Sequence, residues 1–262
     1  MSPTDGPRDE RAPVVSVVIP AHNESGMLAN TVEDVTGAFV DRGLEFELLV
    51  VENGSTDDTA AQARTLAARD ARVVAVSLRD ADYGEAIRTG LLRARGEVVV
   101  VFDVDYYDPA FVDRSLPLLR TPGGPAIVVG SKRAPGAVDR RPWPRRLVTA
   151  GFALVLRHGF GLVVSDTHGM KAMRREAVDA LARRCRFGSD LFDTELVLRA
   201  QRAGLAVTEL PVTVAERRPS RTPITRRVLR TLVGLVRLRV LLWRERAQAR
   251  RSGRPPTTDA VG

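Results

Sequence analysis

The amino-acid sequence predicts an α/β fold in which a mostly parallel sheet is covered by helices on both faces. Five short runs rich in Val, Ile and Leu recur between residues 14 and 130, each apolar almost throughout rather than alternating. That is the pattern of strands buried on both faces. Helix-forming stretches lie between the runs, and this alternation is the signature of βαβ units. A chain of 262 residues, 44% hydrophobic and 27% charged, is long enough and ordinary enough in composition for one large domain with a buried core.

Taken in order, residues 1–13 carry Pro, Asp and Arg with no apolar run, so they are expected to be a disordered lead-in and not a secretory signal. Strands are predicted at Val14–Ile19, Phe46–Val51, Val73–Leu78, Glu97–Phe102 and Ala126–Gly130. Helices are predicted at Gly26–Arg42, Asp58–Arg69, Gly84–Ala94 and Pro109–Leu119. Thr121–Pro125 reads as a Pro/Gly turn, and Lys132–Pro144, with three prolines and a glycine, as a mobile loop. Three further helices follow at Leu147–Arg157, Arg174–Arg184 and Asp190–Ala203, the last stopped by Gly204. Ala206–Val214 returns to strand, Ile224 to about Arg250 forms a basic amphipathic helix, and residues 251–262 are expected to be disordered.

No stretch reaches the roughly 18 apolar residues that would cross a bilayer. Cys185 is the only cysteine, which excludes an intrachain disulfide and a zinc-finger type of metal site and fits a cytoplasmic setting. The net charge of +8 is unevenly placed: residues 1–216 hold 27 Lys+Arg against 30 Asp+Glu, while residues 217–262 hold 13 Arg against Glu245 and Asp259. The high pI therefore belongs to the tail, which implies an anionic partner there. On a helical projection Arg226, Arg230, Arg237 and Arg244 fall within about 40° of one another. Ile224, Val228, Leu232, Leu235, Leu242 and Trp243 lie on the other side. Such a helix can lie on an anionic membrane or pack on the body with its Arg face in water. Nucleic acid is not the expected partner, because only 5% of residues are aromatic and no recognition motif is visible.

In sheets of this class ligands bind beyond the carboxyl ends of the strands. Polar residues crowd there repeatedly. Pro20-Ala21-His22-Asn23-Glu24-Ser25 follows the first strand, where Pro20 is expected to halt it. Glu52-Asn53-Gly54-Ser55-Thr56-Asp57 follows the second. After the fourth comes Asp103-Val104-Asp105; residues two apart on an extended segment point the same way, so both carboxylates can converge. Two like charges at the end of an apolar strand repel, and a divalent cation resolves the conflict. Read alone, each loop is equally a turn, a helix cap or a solvated strand end. Gly84 and Ala86 leave room for a close ligand. The chain has 38 Arg but only two Lys, Lys132 and Lys171, each after a strand end or a glycine turn.

With these motifs in this order, continued by Ser165-Asp166-Thr167-His168-Gly169-Met170-Lys171, Phe192-Asp193-Thr194-Glu195-Leu196 and Glu209-Leu210-Pro211-Val212, the chain resembles glycosyltransferase family 2 over about residues 14–220. The resemblance implies a GT-A (Rossmann-like) catalytic domain at 14–220, followed by the basic helix at 221–250 and a tail at 251–262. It implies an inverting transfer from a UDP- or GDP-sugar, with Pro20, Ala21, Asn23, Glu24, Asp57 and Gly84 around the nucleotide-sugar and Asp57 reading the base. Asp103 and Asp105 would hold Mg²⁺ or Mn²⁺, and Lys132 would meet the donor phosphates. Asp166 and Lys171 would shape the acceptor side. Where the polyprenyl-phosphate branch commonly has Gln-His or Ser-His after the metal motif, this chain has Tyr107-Asp108, which leaves the third metal contact open.

The Asp-Thr-x-Gly-x-Lys and Phe-Asp-x-Glu-Leu segments are similar to that polyprenyl-phosphate branch, so a lipid phosphate at the inner face of the membrane is the expected acceptor. A phosphate monoester is already ionised and needs no base; a hydroxyl acceptor would need one, and Asp193 is the candidate. A non-catalytic nucleotide-binding or nucleic-acid-binding relative is the less favoured alternative, and retention of Asp103 and Asp105 counts against it. A nucleotidylyltransferase would need a Gly-rich, basic turn after the first strand, which is missing.

Overall fold

The computed structural model describes residues 13–139, 143–167, 169–188, 191–214 and 224–251. The expectations for residues 1–12, 140–142, His168, 189–190, 215–223 and 252–262, and for the side chains of 224–230, fall outside the described residues. The chain runs β1 (Val15–Ala21), α1 (Leu28–Asp41), β2 (Phe46–Asn53), α2 (Thr59–Arg69), β3 (Val73–Leu78), α3 (Tyr83–Arg93), β4 (Val98–Val101), α4 (Pro109–Arg120) and β5 (Ile127–Ser131). It continues through β6 (Val138–Asp139), α5 (Trp143–Phe160), β7 (Lys171–Arg174), α6 (Arg175–Arg184), α7 (Phe192–Arg202), β8 (Val207–Pro211), β9 (Thr213–Val214) and α8 (Ile224–Arg251).

Seven strands form one sheet in the order β3-β2-β1-β4-β7-β5-β8. Every neighbouring pair is parallel except those made by β7, which runs antiparallel between β4 and β5. Alternate residues of each strand feed opposite cores. Val15, Val17 and Ile19 of β1 pack with Leu28, Val35 and Phe39 of α1 and Phe111 of α4. Val18 packs with Ala86, Ile87 and Leu91 of α3 and with Val178, Phe192 and Leu196 on α6 and α7. Both faces are covered, as the apolar strands require. A third cluster joins Leu156 of α5, Val197 and Leu198 of α7, and Leu235, Leu238 and Leu242 of α8.

Some expectations change. Pro20 does not halt β1; it pairs with Val51 and the strand continues to Ala21. Val18 turns its carbonyl to β4, accepting from Phe102 N–H, and β4 pairs no further than Val18. Pro20, two residues on, faces the same way past the end of that ladder, so its missing N–H breaks no bond. β7 is absent from the predicted strands: only four residues long, with a charge at each end, it lacks the apolar run. The expected strand Ala206–Val214 is two pieces, since the chain leaves the main sheet at Pro211 and Thr213–Val214 pairs instead with β6. That β6 forms within the segment expected to be a loop, and α5 begins at Trp143, before the predicted Leu147.

Candidate active site

The carboxyl ends of β1 and β2 are joined by hydrogen bonds between their loops. Asn23 N–H donates to Ser55 Oγ (3.1 Å), and Thr56 N–H donates to Asn23 Oδ1 (2.8 Å). Glu24 N–H donates to Thr59 Oγ1 (2.8 Å), and Ser25 N–H to Asp57 Oδ2 (3.2 Å). Asn23 adopts a left-handed backbone (φ 55°), which Asn tolerates better than most residues. Asp57 also accepts from the Thr59 N–H at 3.0 Å. The Thr59 hydroxyl is the main cause holding this carboxyl far below the ordinary aspartate range. Gly54 has φ 64°, and a Cβ there would meet the backbone of Arg79 to Ala81 at under 3 Å. This explains the glycine in the Asn-Gly turn better than ligand contact does.

A chain of contacts leads from this cradle to the carboxylates. With its amide oriented by its partners, Asn53 donates to Ala21 O and accepts from Asp82 N–H. Asp82 caps α3 through Glu85 N–H, with Gly84 buried in the first turn. Beside it, Tyr83 Oη donates to Asp103 Oδ1 at 2.6 Å. Burial, then the charge of Asp103, pushes the Tyr83 hydroxyl well above its usual range, so it stays a donor.

Asp103 and Asp105 do come together, but not on an extended segment. Asp103 and Tyr106 exchange both backbone hydrogen bonds, which closes a tight turn. Val104 is buried inside that turn and its carbonyl accepts from Thr31 Oγ1 at 2.7 Å. The turn, not strand alternation, brings the carboxylates into reach. Burial raises the Asp103 carboxyl; the Tyr83 hydrogen bond opposes this, and the charges of Asp105 and Asp193 add to it. The pair therefore carries crowded negative charge with oxygen donors only, which suits Mg²⁺ or Mn²⁺. Among the described residues no group of three or more His, Cys, Asp or Glu is arranged to hold a metal ion. Tyr107 Oη donates to Asp34, and Asp108 caps α4 by accepting from Ala110 N–H. Donor phosphates and water would fill the remaining positions, the usual arrangement for Mg²⁺.

On the other side of the site the groups are paired as ions. Lys171 Nζ lies 3.1 Å from Asp193 Oδ1, with both side chains buried, and donates to Gly169 O. Lys132 Nζ lies 3.4 Å from Asp166 Oδ2. Both lysines of the chain thus stand in this region, each against an aspartate singled out from the sequence. Glu209 of β8 fastens the loop between them, accepting from the N–H groups of Ser165 and Asp166 and from Ser165 Oγ. Thr167 Oγ1 and Thr194 Oγ1, 3.0 Å apart, tie it to α7. A side chain on Gly169 would run into Gly130 O at 2.4 Å, so the glycine of the Asp-Thr-x-Gly-x-Lys segment lets β5 and this loop touch. Sequence reasoning assigns no role to Tyr83 or Glu209. Tyr83 meets Asp103 and Glu209 meets Ser165 across 20 and 44 residues of chain, which no local pattern in the sequence carries.

Lys132 also lines a pocket of about 260 Å³ with Arg133, Ala137, Asp139, Arg146 and Thr149. Three cations against one carboxylate make it suited to an anion.

The model for glycosyl transferase family 2 matches residues 16–182 of this chain. Glycosyltransferase AglD of Haloferax volcanii is 33% identical over 221 residues, covering 82% of this chain and 35% of that protein. An undecaprenyl-phosphate 4-deoxy-4-formamido-L-arabinose transferase of Pseudomonas aeruginosa is 32% identical over 173 residues, 64% of this chain and 49% of that one. The chain thus spans between about a third and a half of these two relatives. Among solved structures, glucosyl-3-phosphoglycerate synthase from Mycobacterium tuberculosis, in complex with Mn²⁺, UDP and phosphoglyceric acid, is 26% identical with a TM-score of 0.61. The match covers 85% of this chain and 78% of that one.

Proposed function

The chain belongs to glycosyl transferase family 2, and from that premise we propose that it moves a sugar, with inversion, from a UDP- or GDP-sugar to a polyprenyl phosphate at a membrane surface. The donor half of this reading rests on the Asp103-Val104-Asp105 turn and the Tyr83 hydroxyl beside it. Asp103 and Asp105 would hold Mg²⁺ or Mn²⁺, the ions named with the solved relatives. Such an ion supplies charge stabilisation to the departing diphosphate, worth several kcal/mol. Tyr83 fixes one oxygen of Asp103 and leaves the other for the metal. Pro20, Ala21, Asn23, Glu24 and Gly84 form the surroundings of the nucleotide, and Asp57, at the open edge of the cradle, is the candidate for its base.

The buried Lys171–Asp193 pair is the single observation that favours a phosphate acceptor over a hydroxyl. A proton taken by Asp193 would leave Lys171 buried without its counter-charge, which is costly. Asp193 is therefore poorly suited to be a base, and a phosphate monoester needs none. Lys132 keeps the phosphate role that the resemblance gives it, and Arg133 and Arg146 extend that role to the acceptor's phosphate. Asp166 orients Lys132. A lipid acceptor also calls for a membrane partner, for which residues 224–250 are the candidate segment. Among the described residues no helix is long and apolar enough to cross a membrane.

A second reading is favoured by the phosphoglyceric acid bound to the solved relative: a small phosphorylated acceptor attacking through a hydroxyl, with Asp193 as base. The two separate in one assay. Purified protein with Mn²⁺ and radiolabelled UDP- or GDP-sugars is offered a short-chain polyprenyl phosphate or 3-phosphoglycerate. Label on the polyprenyl phosphate supports the first reading. Label only on phosphoglycerate, lost in Asp193→Asn, supports the second.

A further inference from the structure

Among the described residues, eleven of the fourteen large hydrophobic side chains that stand exposed lie on α5, on the residues just after it, or on α8. Both tryptophans of the chain are among them, Trp143 at 73% and Trp243 at 67% exposure. The distribution has a geometry. On α8, Leu235, Leu238 and Leu242 turn into the body. Leu232, Val233, Val236, Val240 and Trp243 are exposed and fall within an arc of about 100°. Next to that arc stand exposed Arg237 and Arg244. The helix therefore packs on the body along one edge and carries a second apolar stripe, flanked by arginine, that the body does not cover. On α5, Leu156 is buried in the same cluster, while Trp143, Leu147 and Leu154 are exposed. The two helices meet again where Arg239 lies over the Phe160 ring, 5.8 Å from its centroid.

The charges decide what such a flank can meet. The α5 sequence contains no acidic residue and α8 contains one, Glu245. Glu245 is turned away from the outer stripe, because both its oxygens accept from Arg199 of α7 at 3.0 Å. The outer face thus offers tryptophan, aliphatic side chains and arginine without an acid. A second copy seated on the same patch would bring arginine against arginine, which is unfavourable in an isologous interface. Indole rings beside cations are what the headgroup boundary of an anionic bilayer accepts.

We infer that α5 and α8 together form a docking face for an anionic phospholipid surface, with Trp143 and Trp243 inserted at the headgroup level. The face is wider than the tail helix and is led by its apolar stripes, the arginines adding attraction. It deepens the lipid-acceptor reading, on which its purpose rests, but its test needs neither donor nor acceptor.

Because the only two tryptophans lie on this face, their emission reports on it directly. The full chain is mixed with vesicles of phosphatidylcholine containing phosphatidylglycerol, or of phosphatidylcholine alone. A blue shift and co-sedimentation are expected with the anionic vesicles, weakening as salt rises. Trp143→Phe and Trp243→Phe, each leaving one reporter, should both still shift. Trp143→Ser with Trp243→Ser should lower vesicle partitioning at least about tenfold. A shift confined to Trp243, or unchanged partitioning of the serine variant, overturns the composite face. So does light scattering that finds a dimer in vesicle-free solution dispersed by the serine substitutions. Transfer to a water-soluble short-chain acceptor is scored separately: its persistence without vesicle binding sinks the docking face alone, and its absence with vesicle binding intact sinks the activity alone.

Discussion

The rim of the sheet at β1, β2 and β4 and the rim at β5, β7 and β8 both hold charged groups at the ends of apolar strands, and they do so by different means. At the first rim the partners are mostly neutral: backbone N–H groups and hydroxyls bind Asn23, Asp57 and Asp103. At the second rim the partners are opposite charges, Lys171 with Asp193 and Lys132 with Asp166. The difference follows from what each must leave available. At Asp103 the charges of Asp105 and Asp193 oppose ionisation while the Tyr83 hydroxyl and the charge of Lys171 favour it, and this crowding is what the proposed metal would relieve. The charges of the second rim are balanced in place, which suits residues that shape a pocket and do not themselves react.

Removing a carboxylate from the first rim should separate activity from stability most sharply. Asp105→Ala is expected to lower metal-dependent transfer by about a thousandfold or more, the several kcal/mol that an ion supplies to a leaving group. Its thermal midpoint in metal-free buffer should stay the same or rise, because the charge of Asp105 is one of those working against ionised Asp103. Undiminished metal-dependent turnover in this variant would falsify the assignment of the turn.

The second rim should behave in the opposite way. Lys171→Met leaves Asp193 buried without its partner and should cost about 3–5 kcal/mol in urea unfolding. Adding Asp193→Leu should recover most of that loss, since well-packed apolar groups often replace a buried pair at little cost. UDP affinity of the doubly substituted protein should match the parent. If Lys171→Met alone costs less than about 1 kcal/mol, the pair is screened like a surface bridge and the contrast between the rims fails.

The same contrast sorts what was legible in the sequence. Strands β1 to β5 and the helices between them announce themselves by apolar runs, and the loops of the first rim are contiguous motifs, so Asn23, Asp57, Asp103 and Asp105 could be picked out one by one. The second rim depends on groups distant in sequence: Glu209 reaches back to Ser165, and Arg199 bridges Glu195 on its own helix to Glu245 of α8. No local pattern encodes such pairs. β7 escaped for a related reason: Lys171 begins it, and its buried ammonium is met by Asp193 from α7 and by Gly169 O. Even α8, foreseen as a helix, could not be divided from sequence into a packed and an outward apolar stripe, because Leu235 and Val236 look alike until the body covers one of them.

The smallest effect expected concerns Asp57, a carboxylate of the first rim that is bound on both oxygens and still exposed. Hydrogen bonding from Thr59 and Ser25 holds it ionised far below the ordinary aspartate value of 3.8. A carboxyl depressed on folding adds stability that is fully present above its unfolded value and is lost as pH falls through the folded one. Asp57→Asn keeps the size of the side chain and removes the charge. Its destabilisation at neutral pH should be under about 1 kcal/mol, since solvent screens an exposed group. In thermal melts the gap between parent and variant should therefore close as the pH is taken below 3.8. A gap that stayed constant across that range would mean that the hydrogen bonds depend on shape alone. The neutral partners of the first rim would then owe nothing to the charge they surround.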